Sequence, residues 1–213
     1  VQGARGSGHA LGASGRWQNS LLRTRIGAEG MDYKGYNIAV HEFGHNVEQT
    51  IDLYHIDHYT LSGVPNTGFT EALAFVFQKR DLMLMGYDQA VDDNTTLDIF
   101  WGLYEIMGVS LVDMRMWQWL YAHPDATAQQ LREATLAIAK EVWNTYYYPV
   151  LGEQDSPILA CYSHMVNAPM YLPNYPFGHI VEFQLEEHLA QFPTKQAFAD
   201  EIMRIYKLGK LTP

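Results

Sequence analysis

Cysteine, long apolar runs and positive charge are all scarce in this chain of 213 residues. Cys161 is the single cysteine, which excludes a disulfide within the chain and a cysteine-based zinc site. No stretch of 18 apolar residues occurs, and the residues after Val1 do not form a signal peptide. We therefore expect a soluble protein without a membrane span, whose compartment the sequence leaves unknown.

The net charge and the hydrophobic content of the chain indicate which partners and what domain size to expect. Lys and Arg number 14 against 24 Asp and Glu, for a net charge of −10. Nucleic-acid binding depends on clustered cations, so nucleic acid is not an expected partner. Hydrophobic residues make up 47% of the chain, enough to bury the core of one large domain over residues 1–213.

The most informative motif is His41-Glu42-Phe43-Gly44-His45. At 3.6 residues per turn, the two histidines lie on one helix face and can bind one metal ion, while Glu42 is offset toward a water on that ion. This pattern is typical of zinc peptidases. Gly44 is a mid-helix glycine, which costs about 1 kcal/mol relative to alanine and predicts the close approach of another backbone.

A catalytic zinc needs a third protein ligand and one position open to water. Glu71 is the candidate, because it opens a second apolar-periodic stretch that runs to about Met85. A Gly/Pro/Asn loop at residues 63–68 separates this stretch from the first helix, so the two helices can pack as neighbours. We expect one Zn²⁺ per chain, bound by His41, His45 and Glu71.

Glu48 and Asp52 follow His45 by about one and two helical turns on the same polar face. A metal-binding histidine usually donates its second ring N–H to a carboxylate, a carbonyl or water. We expect Glu48 or Asp52 to accept such a hydrogen bond, with a solvated acidic face as the alternative.

The fold class expected from periodicity is mainly α, with a small β element near the N-terminus. Residues 1–32 form a glycine-rich β or loop segment, with one edge-strand candidate at Leu21–Ile26, and residues 33–213 are helical. Six helices are predicted, at residues 33–54, 68–85, 92–122, 125–146, 176–191 and 194–208. A long irregular region at residues 146–174 is expected to be functional.

Several side chains have predicted places in these helices. Asp92 and Asp125 are expected to lie at the starts of the third and fourth helices, and Pro176 at the first position of the fifth, directly after Tyr175. The expected core face of the third helix consists of Phe100, Tyr104, Met107, Leu111, Met114 and Trp117.

With His41-Glu42-Phe43-Gly44-His45-Asn46 followed by Phe69-Thr70-Glu71-Ala72, the sequence resembles the gluzincin peptidases of the thimet oligopeptidase and oligoendopeptidase family and their relative, angiotensin-converting enzyme. In those families, an H-E-[FM]-G-H helix is followed at similar spacing by F-x-E-A, whose glutamate is the third zinc ligand. The resemblance covers roughly residues 9–190 and implies a multi-helix, zincin-like catalytic domain.

The same resemblance implies roles in the C-terminal region. Tyr175 corresponds to a phenol that stabilises the transition state, and His164 to a substrate-binding imidazole. The spacing between them departs from the family pattern, so Tyr171 and His179 stay alternatives for these roles. Phe75 stands where some gluzincins have a supporting carboxylate, so the groups that orient the ligands must come from elsewhere.

Residues 6–10 are similar to the family's edge strand that pairs with the substrate backbone, which makes His9 and Ala10 candidate substrate-binding residues. Family members are longer and have an N-terminal helical half that forms the opposite wall of a channel. The resemblance therefore implies that this chain is the C-terminal part of a peptidase. The N-terminal part of the same enzyme, or another chain, would cover its cleft.

The expected function is zinc-dependent hydrolysis of small peptides by a zinc-activated water, with Glu42 as the general base. Two alternatives keep the metal: a non-catalytic, metal-stabilised helical binding domain, and a di-iron carboxylate bundle. The bundle needs two E-x-x-H motifs, and Glu42-Phe43-Gly44-His45 supplies one. A third alternative is a structural helical domain without metal.

Overall fold

The computed structural model describes residues 2–4, 8–87 and 93–211. It is mainly helical with a small sheet near the N-terminus, which confirms the predicted fold class. The chain divides into two compact units, which we treat separately: unit 1 is Val1–Ala90 with Gly178–Pro213, and unit 2 is Val91–Phe177. That all 213 residues form one catalytic domain stays a prediction.

The sheet of unit 1 has the strand order β1-β3-β2, with β1 at Gln2–Ala4, β2 at His9–Leu11 and β3 at Leu21–Arg25. Strand β3 pairs in parallel with β1 and antiparallel with β2. The edge-strand prediction for residues 21–26 is therefore wrong, because β3 lies in the centre. Its partners come from the glycine-rich residues before it, and alternation within β3 carries no information about them.

Helix α1, Tyr33–His55, begins where the Asp32 side chain accepts the Gly35 N–H at 2.7 Å, which confirms the first predicted helix. Helix α2, Thr67–Gln78, begins where Asn66 accepts the Gly68 N–H at 2.9 Å. The predicted helix 68–85 is in fact two helices, since α3 follows separately at Asp81–Leu84. Near the C-terminal end of α2, the Arg80 side chain donates to the Val76 carbonyl at 2.6 Å.

Helices α1 and α2 pack closely at Gly44. A Cβ on this glycine would lie 2.7 Å from the Cα of Ala74, so only glycine lets the two backbones approach this far. The predicted backbone approach is confirmed, and its partner is α2. The buried apolar core around these helices also includes α8 and α9, and consists of Ile51, Ala72, Leu73, Val76, Val181, Leu185, Leu189, Ile202 and Tyr206.

Over its described residues, unit 2 contains four α-helices and the first residues of a fifth. These are α4 at Asp93–Ala122, α5 at Ala128–Tyr146, α6 at Tyr148–Leu151, α7 at His164–Asn167 and the start of α8 at Asn174–Leu189. The rest of α8 belongs to unit 1, as does α9 at Lys195–Tyr206. Short 3-10 turns lie at Tyr59–Leu61, Ile158–Ala160 and Gly209–Leu211. The expected irregular region 146–174 thus contains short helical segments.

The expected core face of α4 is partly wrong, because Phe100 is 66% exposed and Met107 is 52% exposed. The buried apolar side chains of this helix that belong to the core are those of Val109, Val112 and Met116. Tyr147 packs in the same core and donates to the Tyr104 carbonyl, so the buried stripe is rotated toward the residues that face Tyr147.

Two predicted helix starts also change. Helix α5 begins after Thr127, which forms a reciprocal capping box with Gln130, so Asp125 is not its cap. Helix α8 begins at Asn174, which places Tyr175 and Pro176 inside its first turn. Proline is tolerated there because the first N–H groups of a helix have no partner within it. Asp92 lies outside the described residues, and no described helix has the length and apolarity needed to cross a membrane.

Candidate metal centre

The structure brings His41, His45 and Glu71 together in unit 1. Helix α1 carries the two histidines on one face, and α2 presents Glu71 to them. His41 Nε2 lies 3.4 Å from Glu71 Oε2, and His45 Nε2 lies 3.8 Å from Glu71 Oε1. One ligand atom from each of the three residues lies within 4.8 Å of the others. Among the described residues, this is the group that could hold a metal ion.

The spacing fits a tetrahedral zinc ion. Zn–N and Zn–O bonds of about 2.1 Å place two ligand atoms about 3.4 Å apart in a tetrahedral site. The two imidazole rings are nearly perpendicular at 87°, so each can aim its Nε2 at one point from a different direction. Glu71 is 1% exposed, and a buried carboxylate of this kind is stabilised by a cation beside it.

A series of hydrogen bonds orients the His41 ring through its Nδ1 atom. His41 Nδ1 lies 2.9 Å from Gln78 Oε1, and Gln78 donates to Asn37 Oδ1 at 2.6 Å. Asn37 and Tyr33 both donate to Asp81 Oδ2, each at 2.7 Å. The contact with Gln78 assigns the proton to Nδ1 and leaves the Nε2 lone pair for a metal.

These hydrogen bonds show that the expected role of Glu48 or Asp52 as the partner of a ligand histidine is wrong. Glu48 accepts from the Thr70 hydroxyl at 2.9 Å, and Asp52 accepts from the Gly63 N–H, so neither carboxylate is the partner of His41. His45 Nδ1 is buried and has no partner among the described residues. The expectation was wrong because the second nitrogen of His41 faces across to α2 and not along α1.

Gln78 and Asn37 are the site residues that sequence reasoning missed. A signal for them exists, since Gln78 lies two helical turns after Glu71 and Asn37 lies one turn before His41. Both therefore share the helix faces that carry the candidate metal ligands. Gln78 also supplies the orienting group that Phe75, one turn after Glu71, does not provide.

The two histidines differ in electrostatics. Burial lowers the pKa of His45 to about 4, with the charge of Glu71 acting in the opposite direction. Burial also acts to lower the pKa of His41, but Glu71, Glu42 and Gln78 together raise it above the ordinary value. The difference follows from partners, because His41 has two hydrogen bonds that favour its charged form.

Glu42, the predicted base, is buried beside these ligands. Burial raises its pKa to about 7, partly offset by the charge of His41, while the charge of Glu71 raises it further. The backbone N–H of Ala10 donates to this carboxylate and lowers its pKa. A carboxyl group that titrates near neutrality can both accept and release a proton at that pH.

Strand β2 carries His9 and Ala10, and the Ala10 N–H lies beside the Glu42 carboxylate. It pairs with β3 alone, so it is an edge of the sheet in the part of the chain that the structure describes. The predicted edge strand at residues 6–10 is thus described from Gly8 onward, and Gly6 and Ser7 lie outside the described residues. A substrate-binding role of His9 and Ala10 stays a prediction.

The remaining predicted residues fall into two groups. His164, Tyr171 and Tyr175 form a cluster in unit 2, in which the Tyr175 hydroxyl lies 3.4 Å from His164 Nε2 and the two tyrosine rings are 5.6 Å apart. His179 belongs to unit 1, where its ring stacks on Phe75 at 3.7 Å.

No family model matches this chain, and no curated protein matches it.

Proposed function

We propose that this chain is a zinc-dependent peptidase that hydrolyses the peptide bonds of small peptides. The observation that carries the proposal is the convergence of His41, His45 and Glu71 on one point, with Glu42 beside them. The resemblance of the two sequence motifs to gluzincin peptidases supports the same function. The proposed cofactor is one Zn²⁺ per chain.

When bound, zinc polarises a carbonyl and lowers the pKa of a water molecule toward neutrality. The protein supplies the proton transfers. Glu42, which is buried beside the candidate ligands, takes a proton from the attacking water and delivers it to the leaving amine. The Ala10 N–H holds one side of this carboxylate, and Gln78 holds His41 in the tautomer that a metal ligand requires.

The test combines metal analysis with peptide hydrolysis. The zinc-loaded wild-type protein is expected to bind one zinc per chain and to cleave members of a mixed peptide library, read by mass spectrometry. Glu42→Gln should keep the zinc and lose turnover by at least about 100-fold, because the proton acceptor is gone. Glu71→Ala should lose the zinc.

Glu187→Gln is the matched control, since it makes the same chemical change at an exposed position of α8 and should retain full activity. Unchanged hydrolysis by Glu42→Gln would remove the proposed base. Zinc binding without cleavage by the wild-type protein would support the metal-stabilised binding domain, and two metal ions per chain would support a dinuclear site.

A further inference from the structure

A cavity of about 820 Å³ lies on the back of helix α1 in unit 1. Its lining residues on this helix recur along one face and include Phe43, Val47, Thr50 and Tyr54. With about 3.6 residues per turn, that face lies opposite the one that carries His41 and His45. The cavity is therefore separate from the candidate metal centre, with the helix between them.

The walls of this cavity are mainly apolar. Ile51 is 4% exposed, whereas Phe43 is 48% exposed and Tyr54 is 45% exposed. Leu22 of β3 and Met203 of α9 complete the apolar surface. A concave, largely apolar surface that is open to solvent is typical of a ligand site.

The charge of the lining is unusual for this chain. Although the net charge of the protein is −10, no Asp or Glu lines the cavity among the described residues. Its polar lining groups belong to Ser20, Asn46, Thr50 and His55. An anionic ligand would thus meet no carboxylate of these walls.

The backbone around the cavity offers few partners to a peptide. Most lining residues belong to α1, and Leu22 belongs to β3, the central strand of the sheet. Helical N–H and C=O groups bond within the helix, and those of a strand point toward neighbouring strands, so the walls present side chains. An extended peptide would leave its own backbone groups unpaired here, whereas an alkyl chain has none.

A fixed cation lies at the end of the cavity formed by Tyr54 and His55. Arg16 donates to the Leu53 carbonyl at 3.0 Å and to the Tyr54 carbonyl at 3.3 Å. Its guanidinium lies 5.4 Å from the centre of the Tyr54 ring, and the Tyr54 hydroxyl donates back to the Arg16 carbonyl at 3.0 Å. Arg16 is thereby held beside the lining.

This guanidinium is not neutralised by a carboxylate in the described part of the chain. The arginines that form salt bridges there are Arg25, Arg80, Arg115 and Arg204. Two N–H groups of Arg16 are used by carbonyls, and a guanidinium has five. The rest can bind a carboxylate, and the His55 ring offers a further N–H.

We propose that this cavity binds a medium-chain fatty acid, with the alkyl chain along the back of α1 and the carboxylate beside Arg16 and His55. Phe43 and Tyr54 are separated by about 17 Å along the helix axis, which accommodates such a chain in extended form. The inference goes beyond the proposed peptidase function and does not depend on it, since it involves neither a metal ion nor turnover.

The experiment measures binding of decanoate by isothermal titration calorimetry, with and without added zinc. We expect one decanoate per chain and the same affinity in both conditions. Decan-1-ol and decyltrimethylammonium have the same alkyl chain without the negative charge. Each should bind at least about tenfold more weakly, because hydrogen bonds to a charged group are lost.

Thr50→Trp tests the location of the alkyl chain. Thr50 is exposed and donates to the Asn46 carbonyl at 2.7 Å, so a larger side chain there fills the cavity and leaves the core in place. Decanoate should bind at least about tenfold more weakly, the equivalent of two CH₂ groups that are no longer buried. Thr145→Trp is the matched control, since Thr145 is exposed on α5 and donates to the Glu141 carbonyl at 2.8 Å.

Arg16→Gln tests the carboxylate site. Glutamine retains N–H groups for the carbonyls at the end of α1 but removes the charge. Decanoate should bind about tenfold more weakly, while decan-1-ol should bind as it does to wild type. Arg132→Gln makes the same change at an exposed position of α5 and should alter neither affinity. Thermal melting of each variant verifies that it is folded.

Equal binding of decanoate to wild type and Thr50→Trp would overturn the inference, as would binding that requires added zinc, which would assign the carboxylate to the metal centre. Decan-1-ol that binds as tightly as decanoate, or decanoate binding that Arg16→Gln leaves unchanged, would also overturn it. None of these results would affect the proposed peptidase function.

Discussion

Helix α1 carries polar side chains on both sides of the turn from His41 to His45, and the two regions differ in how these side chains are hydrogen-bonded. Before His41, Asn37 belongs to an unbroken series of hydrogen bonds from Gln78 to Asp81. After His45, Glu48 and Asp52 are buried, and each has one oxygen without a partner among the described residues. Burial raises their pKa values to about 7 and about 6.

The two regions of α1 therefore have different effects: the first acts through hydrogen-bond geometry and the second through the charge of buried carboxyl groups. A hydrogen-bonded series of amides that ends on one carboxylate can orient a ligand through its geometry alone. Buried carboxyl groups with incomplete hydrogen bonding are neutral at low pH and become costly when they ionise. The region before His41 therefore sets the position of a ligand, while the region after His45 makes stability depend on pH.

The largest expected effect in this comparison comes from Asp81→Ala. Asp81 is 3% exposed, and its loss leaves the Tyr33 hydroxyl and the Asn37 amide without their acceptor. Two hydrogen bonds to a charged group correspond to about 4 kcal/mol of unfolding free energy. Urea denaturation of the metal-free protein measures it. Asp200→Ala, at an exposed site on α9, is the control, and equal stability of both variants would contradict the role of the network.

The next effect concerns Glu48→Gln and pH. The folded protein keeps a proton on Glu48 up to a pKa of about 7, whereas the unfolded chain releases it near the ordinary value of 4.5. Between these values the folded state binds more protons, so stability present at low pH is lost as pH rises. The difference between the two pKa values corresponds to a loss of about 3 kcal/mol of unfolding free energy above about pH 7.

Glu48→Gln should therefore be more stable than wild type at about pH 8 and similar to it at about pH 4, since the amide oxygen still accepts from Thr70. Denaturation at both pH values, without metal, measures this difference, which includes the repulsion of Glu48 by Asp52 and Glu71 that the substitution also removes. Glu187→Gln should show no such pH-dependent gain, and a Glu48→Gln protein that follows the wild-type curve would refute the effect.

The smallest expected effect is that of Gln78→Leu on zinc affinity. Leucine fills similar space but cannot accept the His41 Nδ1–H. Loss of such an orienting partner typically weakens metal binding by about 10- to 100-fold. Competition with a chromogenic chelator measures the change. Gln78→Glu retains an acceptor for the Nδ1–H but loses the N–H that Gln78 donates to Asn37, so it should recover part of the affinity that Gln78→Leu loses. Zinc binding by Gln78→Glu that is no tighter than that of Gln78→Leu would contradict the orienting role.

Much of the site was predictable because it depends on helical spacing. His41, His45 and Glu71 were identified from one motif and one carboxylate at the head of the next helix, and the structure brings them together. The bounds of α1 followed from periodicity and the polar residue that caps it. Gly44 was also informative, since its cost within a helix indicated the backbone approach at Ala74.

Other predictions failed where partners come from elsewhere in the chain. Strand β3 is central because two glycine-rich segments pair with it, which its own alternation does not reveal. The buried face of α4 depends on where Tyr147 packs, so Phe100 and Met107 are exposed despite their helical spacing. The start of α8 at Asn174 shows that proline can lie within a first turn without marking its first residue.

The sequence by itself determined which residues could together hold a metal ion, because i and i+4 positions share a helix face whatever surrounds the helix. Only the tertiary structure decided what lies behind and beside those ligands. Gln78 is the partner of His41, and Glu182 is the partner of His179. Both relations depend on how α1, α2 and α8 pack, and close packing between helices depends on the shapes of side chains that are distant in the sequence.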